Sequence, residues 1–139
     1  MKDDLQHIEQ FIEKHHVMHL ATYDEGVVSA CSVFYVYDSV SLSFVFASAP
    51  TTTHIQHIEY NNQVAATIAL ETDQVGLIQG LQIQGLSKKL EKSELKRLYF
   101  KKYPYALALN PTLWCLHVKQ FKLTDNRLGF GKKVYYPPL

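Results

Sequence analysis

Apolar residues recur at helical spacing through Leu5, Ile8, Phe11 and Ile12, with His15 on the same side. The spacing predicts an amphipathic helix from Asp4 to about His16, with acids near its start. At Val17 the period changes. Val17 to Thr22, Val27 to Tyr37 beyond the turn Asp24-Glu25-Gly26, and Leu42 to Ala47 read as three antiparallel strands in a meander. A short helix follows from Thr52 to Tyr60, with Ile55 and Ile58 inward and Asn61-Asn62 at its end. Val64 to Leu70 and a long Leu77 to Leu90 form the next strand pair, and Gly80 and Gly85 inside the second predict a bulge or a close backbone approach. Ser93 to Tyr103 reads as a charged helix stopped by Pro104. Leu113 to Thr124 sets Trp114, Leu116 and Val118 on one face against Cys115, His117 and Lys119 on the other, as a half-buried strand does. About six strands with only short helices predict a mainly β fold, a small closed barrel rather than a doubly wound sheet.

Composition narrows this picture. With 139 residues and no linker, repeat or low-complexity stretch, residues 1–139 are expected to form a single domain. A hydrophobic share of 47%, with nine Tyr and seven Phe, fits a β-rich globule. The net charge of +1 gives no global field to steer nucleic acid or a membrane surface, so neither is an expected partner. No apolar run approaches the length of a membrane span, and Met1-Lys2-Asp3-Asp4 opens a charged segment unlike a signal peptide, so a cytoplasmic location is expected. Cys31 and Cys115 make no disulfide framework and lack metal-ligand spacing; each reads as a small hydrophobe.

Candidate chemistry concentrates where an apolar strand breaks at Pro50 into Thr51-Thr52-Thr53-His54 and a helix begins. A first helical turn presents unpaired N–H groups and the positive end of the helix dipole, so adjacent hydroxyls complete an anion cradle. Thr53 with Gln56 three residues on would equally serve as a capping box, although three threonines exceed what one cap needs. His15-His16-Val17-Met18-His19 resembles a metal or haem clip, but the change to strand at Val17 removes the shared helical face, and no metal site is expected. Asn126 to Lys133 lacks the spacing and the strand-to-helix context of a phosphate loop. Gly129 and Gly131 instead shape a turn that would let Phe130 pack and Lys132 point toward an anion.

The order of meander, hydroxyl-rich turn, short helix, Asn-Asn, strand pair, helix and final strand resembles the FMN-binding split barrel of the pyridoxamine 5′-phosphate oxidase-like superfamily. The segment Phe121-Lys122-Leu123-Thr124-Asp125-Asn126-Arg127-Leu128-Gly129-Phe130-Gly131-Lys132-Lys133 is similar to the end of its YhbP-like branch, supported by Cys31-Ser32-Val33-Phe34-Tyr35 and Ile78-Gln79-Gly80-Leu81-Gln82-Ile83-Gln84-Gly85. The resemblance implies FMN at a homodimer interface. Its phosphate would lie on Ser48, Thr52, Thr53 and His54, its ring along Cys31, Ser32 and Val33, and its pyrimidine end near Gln79 and Gly80, with Phe130 and Lys132 as further contacts. Basic residues usual around that phosphate are replaced by Ala30, Thr53 and His54, which implies weaker FMN binding. Tyr35 stands where pyridoxamine phosphate oxidases carry a substrate lysine, so vitamin B6 oxidation is not the expected activity. The implied function is flavin-dependent redox chemistry on an unknown small molecule, since the flavin ring itself exchanges hydride or electrons. The alternative is non-catalytic holding of flavin or haem for storage, sensing or delivery.

Overall fold

The computed structural model describes residues 2–139; Met1, which begins the charged opening segment, lies outside the described residues. The chain runs α1 (Lys2–Glu13), β1 (Val17–Asp24), β2 (Val27–Asp38), β3 (Ser43–Ala47), α2 (Thr53–Tyr60), β4 (Gln63–Ala69), β5 (Gln79–Lys89), α3 (Ser93–Lys102), β6 (Leu113–Asp125) and β7 (Lys133–Tyr136), with short 3-10 turns between. Every strand pairing is antiparallel. The sheet order β3-β2-β1-β4-β5-β6-β7 is closed by an additional β3–β6 pairing, so the sheet wraps into a barrel with β7 on its margin. This is the mainly β barrel that the alternation predicts. The short β7 is the strand the hydropathy pattern does not disclose, because Lys133 to Tyr136 is too brief to show a period.

Local chemistry explains the joints. β1 and β2 meet through Glu25 and Gly26 at φ of 45° and 82°, left-handed values that match the twist of a two-residue hairpin. In β5 the register against β6 shifts between Gln84 and Gly85. A Cβ on Gly85 would fall 2.2 Å from the His117 carbonyl oxygen, so this glycine permits the close approach that bends the strand. Gly80, by contrast, has open space where a Cβ would be.

The main core fills the barrel with Leu20, Phe44, Phe46, Leu81, Ile83, Leu116 and Phe121, joined by Ile8 and Ile12 from α1 and by Ile55 and Ile58 from α2. α1 ends at Glu13, earlier than expected. Beyond it the Lys14 and His15 N–H groups close the last turn onto the Phe11 and Ile12 carbonyls, and the His15 ring bonds back to Phe11 O (2.8 Å). A second, smaller core lies on the outer side of the barrel wall, where α3 covers Val36, Val45, Leu113 and Cys115 with Tyr99. That cover is why Cys115 is buried, although alternation alone places it on the same exposed face as His117 and Lys119. Among the described residues no helix is long and apolar enough to cross a membrane, and no buried side-chain nitrogen or oxygen lacks a hydrogen-bond partner.

Candidate functional site

The turn after β3 forms first from the residues that leave the sheet. Phe46 pairs with Tyr35 and Ala47 with Leu113, so Ser48 departs where β2, β3 and β6 come together, and the Trp114 indole N–H fixes its carbonyl (3.0 Å). Ser48 Oγ lies 2.8 Å from His54 Nε2, and Thr52 Oγ1 lies 3.3 Å from the same nitrogen while donating to the Ala49 carbonyl (2.9 Å). Two of the four anticipated phosphate ligands, Ser48 and Thr52, therefore converge on the imidazole of a third, His54. Thr53 is exposed at the first position of α2. The helix N-cap is Thr52 rather than Thr53 and makes no side-chain cap bond, so the capping box with Gln56 does not form. The first-turn N–H groups of α2 remain without helical acceptors. Burial, followed by the neighbouring His57, holds His54 below the ordinary histidine range, so near neutrality the turn offers hydroxyls and N–H groups rather than a cation.

β2 alternates, and this separates the expected ring contacts. Ser32 is exposed on the outer face with Ala30 and Phe34, whereas Val33 is buried in the core and Cys31 packs half-buried against it. For Cys31 and Val33 only the backbone is available to a flat ring on that face. The strand register gives Ser32 a row of outward neighbours that sequence reasoning did not assemble: His19 beside Ser32, Thr67 beside His19, Gln82 beside Thr67 and Lys122 beside Gln82. His19 Nδ1 lies 2.9 Å from Ser32 Oγ. One step away runs a second row of Ala30, Ala21, Ala65 and Gln84, all exposed. The outer face of β2, β1, β4 and β5 is thus a smooth floor of alanines edged by hydroxyls, amides and one imidazole. Alternation along β4, with Val64, Ala66 and Ile68 in and Ala65, Thr67 and Ala69 out, was the available signal. Only long-range register shows that these strands adjoin.

Gln79 is placed differently from expectation. Its Oε1 accepts from Arg127 Nη2 (3.0 Å), and Arg127 in turn forks onto Asp125 through Nε (3.1 Å) and Nη2 (2.9 Å). Asp125 is fully buried, accepts further from the Arg127 backbone N–H (3.0 Å), and meets His7 Nε2 at 3.2 Å. The Arg127 hydrogen bonds keep its carboxyl below the usual range against the opposing effect of burial. Gln79 therefore serves this network, while Gln82 and Gln84 present exposed amides on the outer face.

Gly129 and Gly131, at φ of 135° and 71°, form the turn between β6 and β7, but Phe130 does not pack within the chain: it is 85% exposed. Lys132 is exposed beside it. The hydroxyl turn leaves the sheet next to Leu113 and the glycine turn follows Asp125, so the thirteen residues of β6, a contour of about 40 Å, separate the two. Within one copy Lys132 does not join Ser48, Thr52 and His54. Tyr35 has its ring inside the barrel, 1% exposed, with Oη donating to Ile12 O (2.6 Å); burial pushes its phenol far above the ordinary value. Among the described residues no group of three or more His, Cys, Asp or Glu is gathered as metal ligands.

No family model matches the chain. Among curated proteins it is 35% identical over 137 residues, covering 96% of both chains, to UPF0306 protein Ent638_3591 of Enterobacter sp. (strain 638). It is 31% identical over 137 residues to UPF0306 protein YhbP of Escherichia coli O7:K1, covering 96% of this chain and 93% of YhbP. Solved structures with the same fold include HutZ, the heme storage protein from Vibrio cholerae (15% identity, TM-score 0.71, 86% of this chain and 92% of that one). A FAD-binding protein from Mesorhizobium loti matches at 13% identity and TM-score 0.69, covering 86% of this chain and 90% of that one. A candidate pyridoxamine 5′-phosphate oxidase from Listeria innocua matches at 16% and 0.70, covering 85% and 95%. The fold is that of the split barrels related to pyridoxamine 5′-phosphate oxidase.

Proposed function

We propose, from the premise that the chain belongs to the UPF0306 family, that it is a homodimeric split-barrel protein that binds FMN on the outer face of β2, β1, β4 and β5 and uses it on a small redox partner. The observation that carries this reading is the convergence of Ser48, Thr52 and His54 at the start of α2, in a chain whose alanine floor is flat enough for an aromatic ring. The residues fit FMN with neutral donors in place of cations. Helix N–H groups and the Thr53 hydroxyl would hold the phosphate, the β2 backbone at Cys31, Ser32 and Val33 would lie along the ring, and the Gln82 amide would bond ring carbonyls. FMN supplies hydride or electron exchange when bound. The protein's part is to orient the ring and exclude water. Tyr35, buried and uncharged where a substrate lysine would act, argues against vitamin B6 oxidation. Lys132, at the other end of β6 from the hydroxyl turn, would meet that phosphate from the second copy.

Titration of the purified protein with FMN and riboflavin tests this. Thr53→Val combined with His54→Gln should weaken FMN by tenfold or more, at roughly 1 kcal/mol net per neutral hydrogen bond, and leave riboflavin nearly unchanged. Equal loss for both flavins, or no binding of either by the parent, would remove the reading. One observation favours haem as the second reading: His19 is exposed on the same face with Nδ1 engaged by Ser32, so its Nε2 would be the atom to bind the iron. A Soret band that His19→Ala abolishes would select it.

A further inference from the structure

Where α3 ends its cover of the barrel wall, the outer face of β5 and β6 opens into a pocket of about 830 Å³, walled on its far side by the Val40–Ser43 turn. None of its lining residues belongs to the proposed flavin face or to the hydroxyl turn. Its volume falls in the range of small-molecule sites. Leu42, Leu86, Leu90 and Leu95 make its walls apolar, while Lys88, Lys89 and Lys92 stand exposed around it; Glu91 is the one acid in the lining, with Asp38 behind it bonded to Ser41. In a chain of net charge +1, three ammoniums against one carboxylate is a local concentration of positive potential. The fields of Lys88 and Lys92 reach the Cys115 wall, where they partly offset the effect of burial on its thiol.

The hydroxyls around the pocket are already committed. Ser87 Oγ donates to Cys115 O (2.8 Å), Ser43 Oγ donates to Ser41 O (3.1 Å), and Ser41 Oγ donates to Asp38 Oδ2. The Asn62 amide and the His117 ring are the neutral polar side chains left at the rim, against three cations and four leucines that remain unanswered. We infer that this pocket binds an amphipathic organic anion, a carboxylate with a medium-length apolar body, seating the body against Leu42, Leu90 and Leu95 and the anionic head between Lys88 and Lys92. The inference is independent of the flavin reading, since the two sites share no residue.

The probe is decanoate, titrated into the isotope-labelled full-length protein and followed residue by residue by amide NMR at low and high salt. Saturable shifts are expected at Val40–Ser43, around Leu86–Leu95 and at Cys115 and His117, weakening as salt rises. Decanol, with the body but no charge, and inorganic phosphate, with charge but no body, should each bind there at least about tenfold more weakly. Lys88→Gln with Lys92→Gln, both on exposed side chains, should weaken decanoate by about tenfold and leave decanol unchanged. Leu95→Trp should fill the pocket and remove both. Shifts centred on Ser32, Thr67 and Gln82, phosphate binding equal to decanoate, or decanoate binding indifferent to the paired lysine change would each overturn the inference. The lysine variant keeps the test decisive if Leu95→Trp fails to fold.

Discussion

His54 connects local burial to ligand charge. Because burial and His57 hold it below the ordinary histidine value, the folded protein gives up this proton more readily than the unfolded chain does. Its neutral form is therefore linked to folding: the cost is absent above the ordinary histidine range and grows as pH falls through it. The same protonation would place a cation against a bound phosphate. FMN affinity should rise relative to riboflavin as the pH is lowered into the titration of His54, and His54→Gln should flatten that difference. The flavin phosphate loses its second charge near pH 6, so the comparison between parent and variant at each pH, rather than the parent curve alone, isolates the residue. Binding isotherms for both flavins at several pH values check it. At this scale the hydroxyl turn was legible, because Pro50 and three threonines announce a break and a helix start. The role of Gln79 was not, since its Arg127 partner is forty-eight positions away.

At the scale of elements, β5 and the β6–β7 turn show what pattern can and cannot reveal. Gly85 was readable as a bulge because a glycine within a run of alternating apolar residues has few other uses. Gly85→Ala should cost about 2 kcal/mol or more, since the new methyl meets the His117 carbonyl, whose backbone cannot swing aside as a flexible side chain would. Gly80→Ala, facing open space, should cost much less. Denaturant midpoints of the two variants provide the comparison, and equal losses would mean that the bend does not depend on the missing Cβ. The network around Asp125 was hidden in sequence because it ties α1, β5 and the turn after β6 through His7, Gln79 and Arg127. Its depressed carboxyl contributes stability that is complete above the unfolded aspartate range and is lost as pH falls through the folded value. Arg127→Gln should therefore lower the melting temperature near neutrality and reduce its further fall below about pH 4. A parent and variant that lose stability in parallel on acidification would show that other carboxylates control the acid limb.

For the whole molecule the decisive feature is what the closed barrel leaves uncovered. Alternation shows that β1, β2 and β4 have outward residues, and the two-residue hairpin sets Ala21 beside Ala30, but Ala65 joins them only through the register of β4, which is distant in sequence. Small side chains let a second surface approach closely, and Tyr23, Val28 and Phe34 on the same strands stay 48%, 78% and 59% exposed. Phe34 leans on Tyr103 with ring centroids 5.7 Å apart, whereas Phe130, 85% exposed, meets no aromatic ring among the described residues. A second copy would cover this surface, and it is also the sole route by which Phe130 and Lys132 could reach a phosphate held at the far end of β6. Val28→Arg places a long cation within the proposed contact, at the hairpin end of β2 beyond the alanine floor and without touching the core, so the fold should persist while the dimer dissociates. Sedimentation should then show a dimer for the parent and a monomer for the variant, with FMN affinity falling together with the association. Lys132→Ala should weaken FMN in the dimer in a salt-sensitive way and have no effect in the Val28→Arg monomer. A parent that sediments as a monomer at every concentration, or a variant monomer that binds FMN as tightly as the parent, would show that one barrel alone holds the cofactor and that its exposed face serves another purpose.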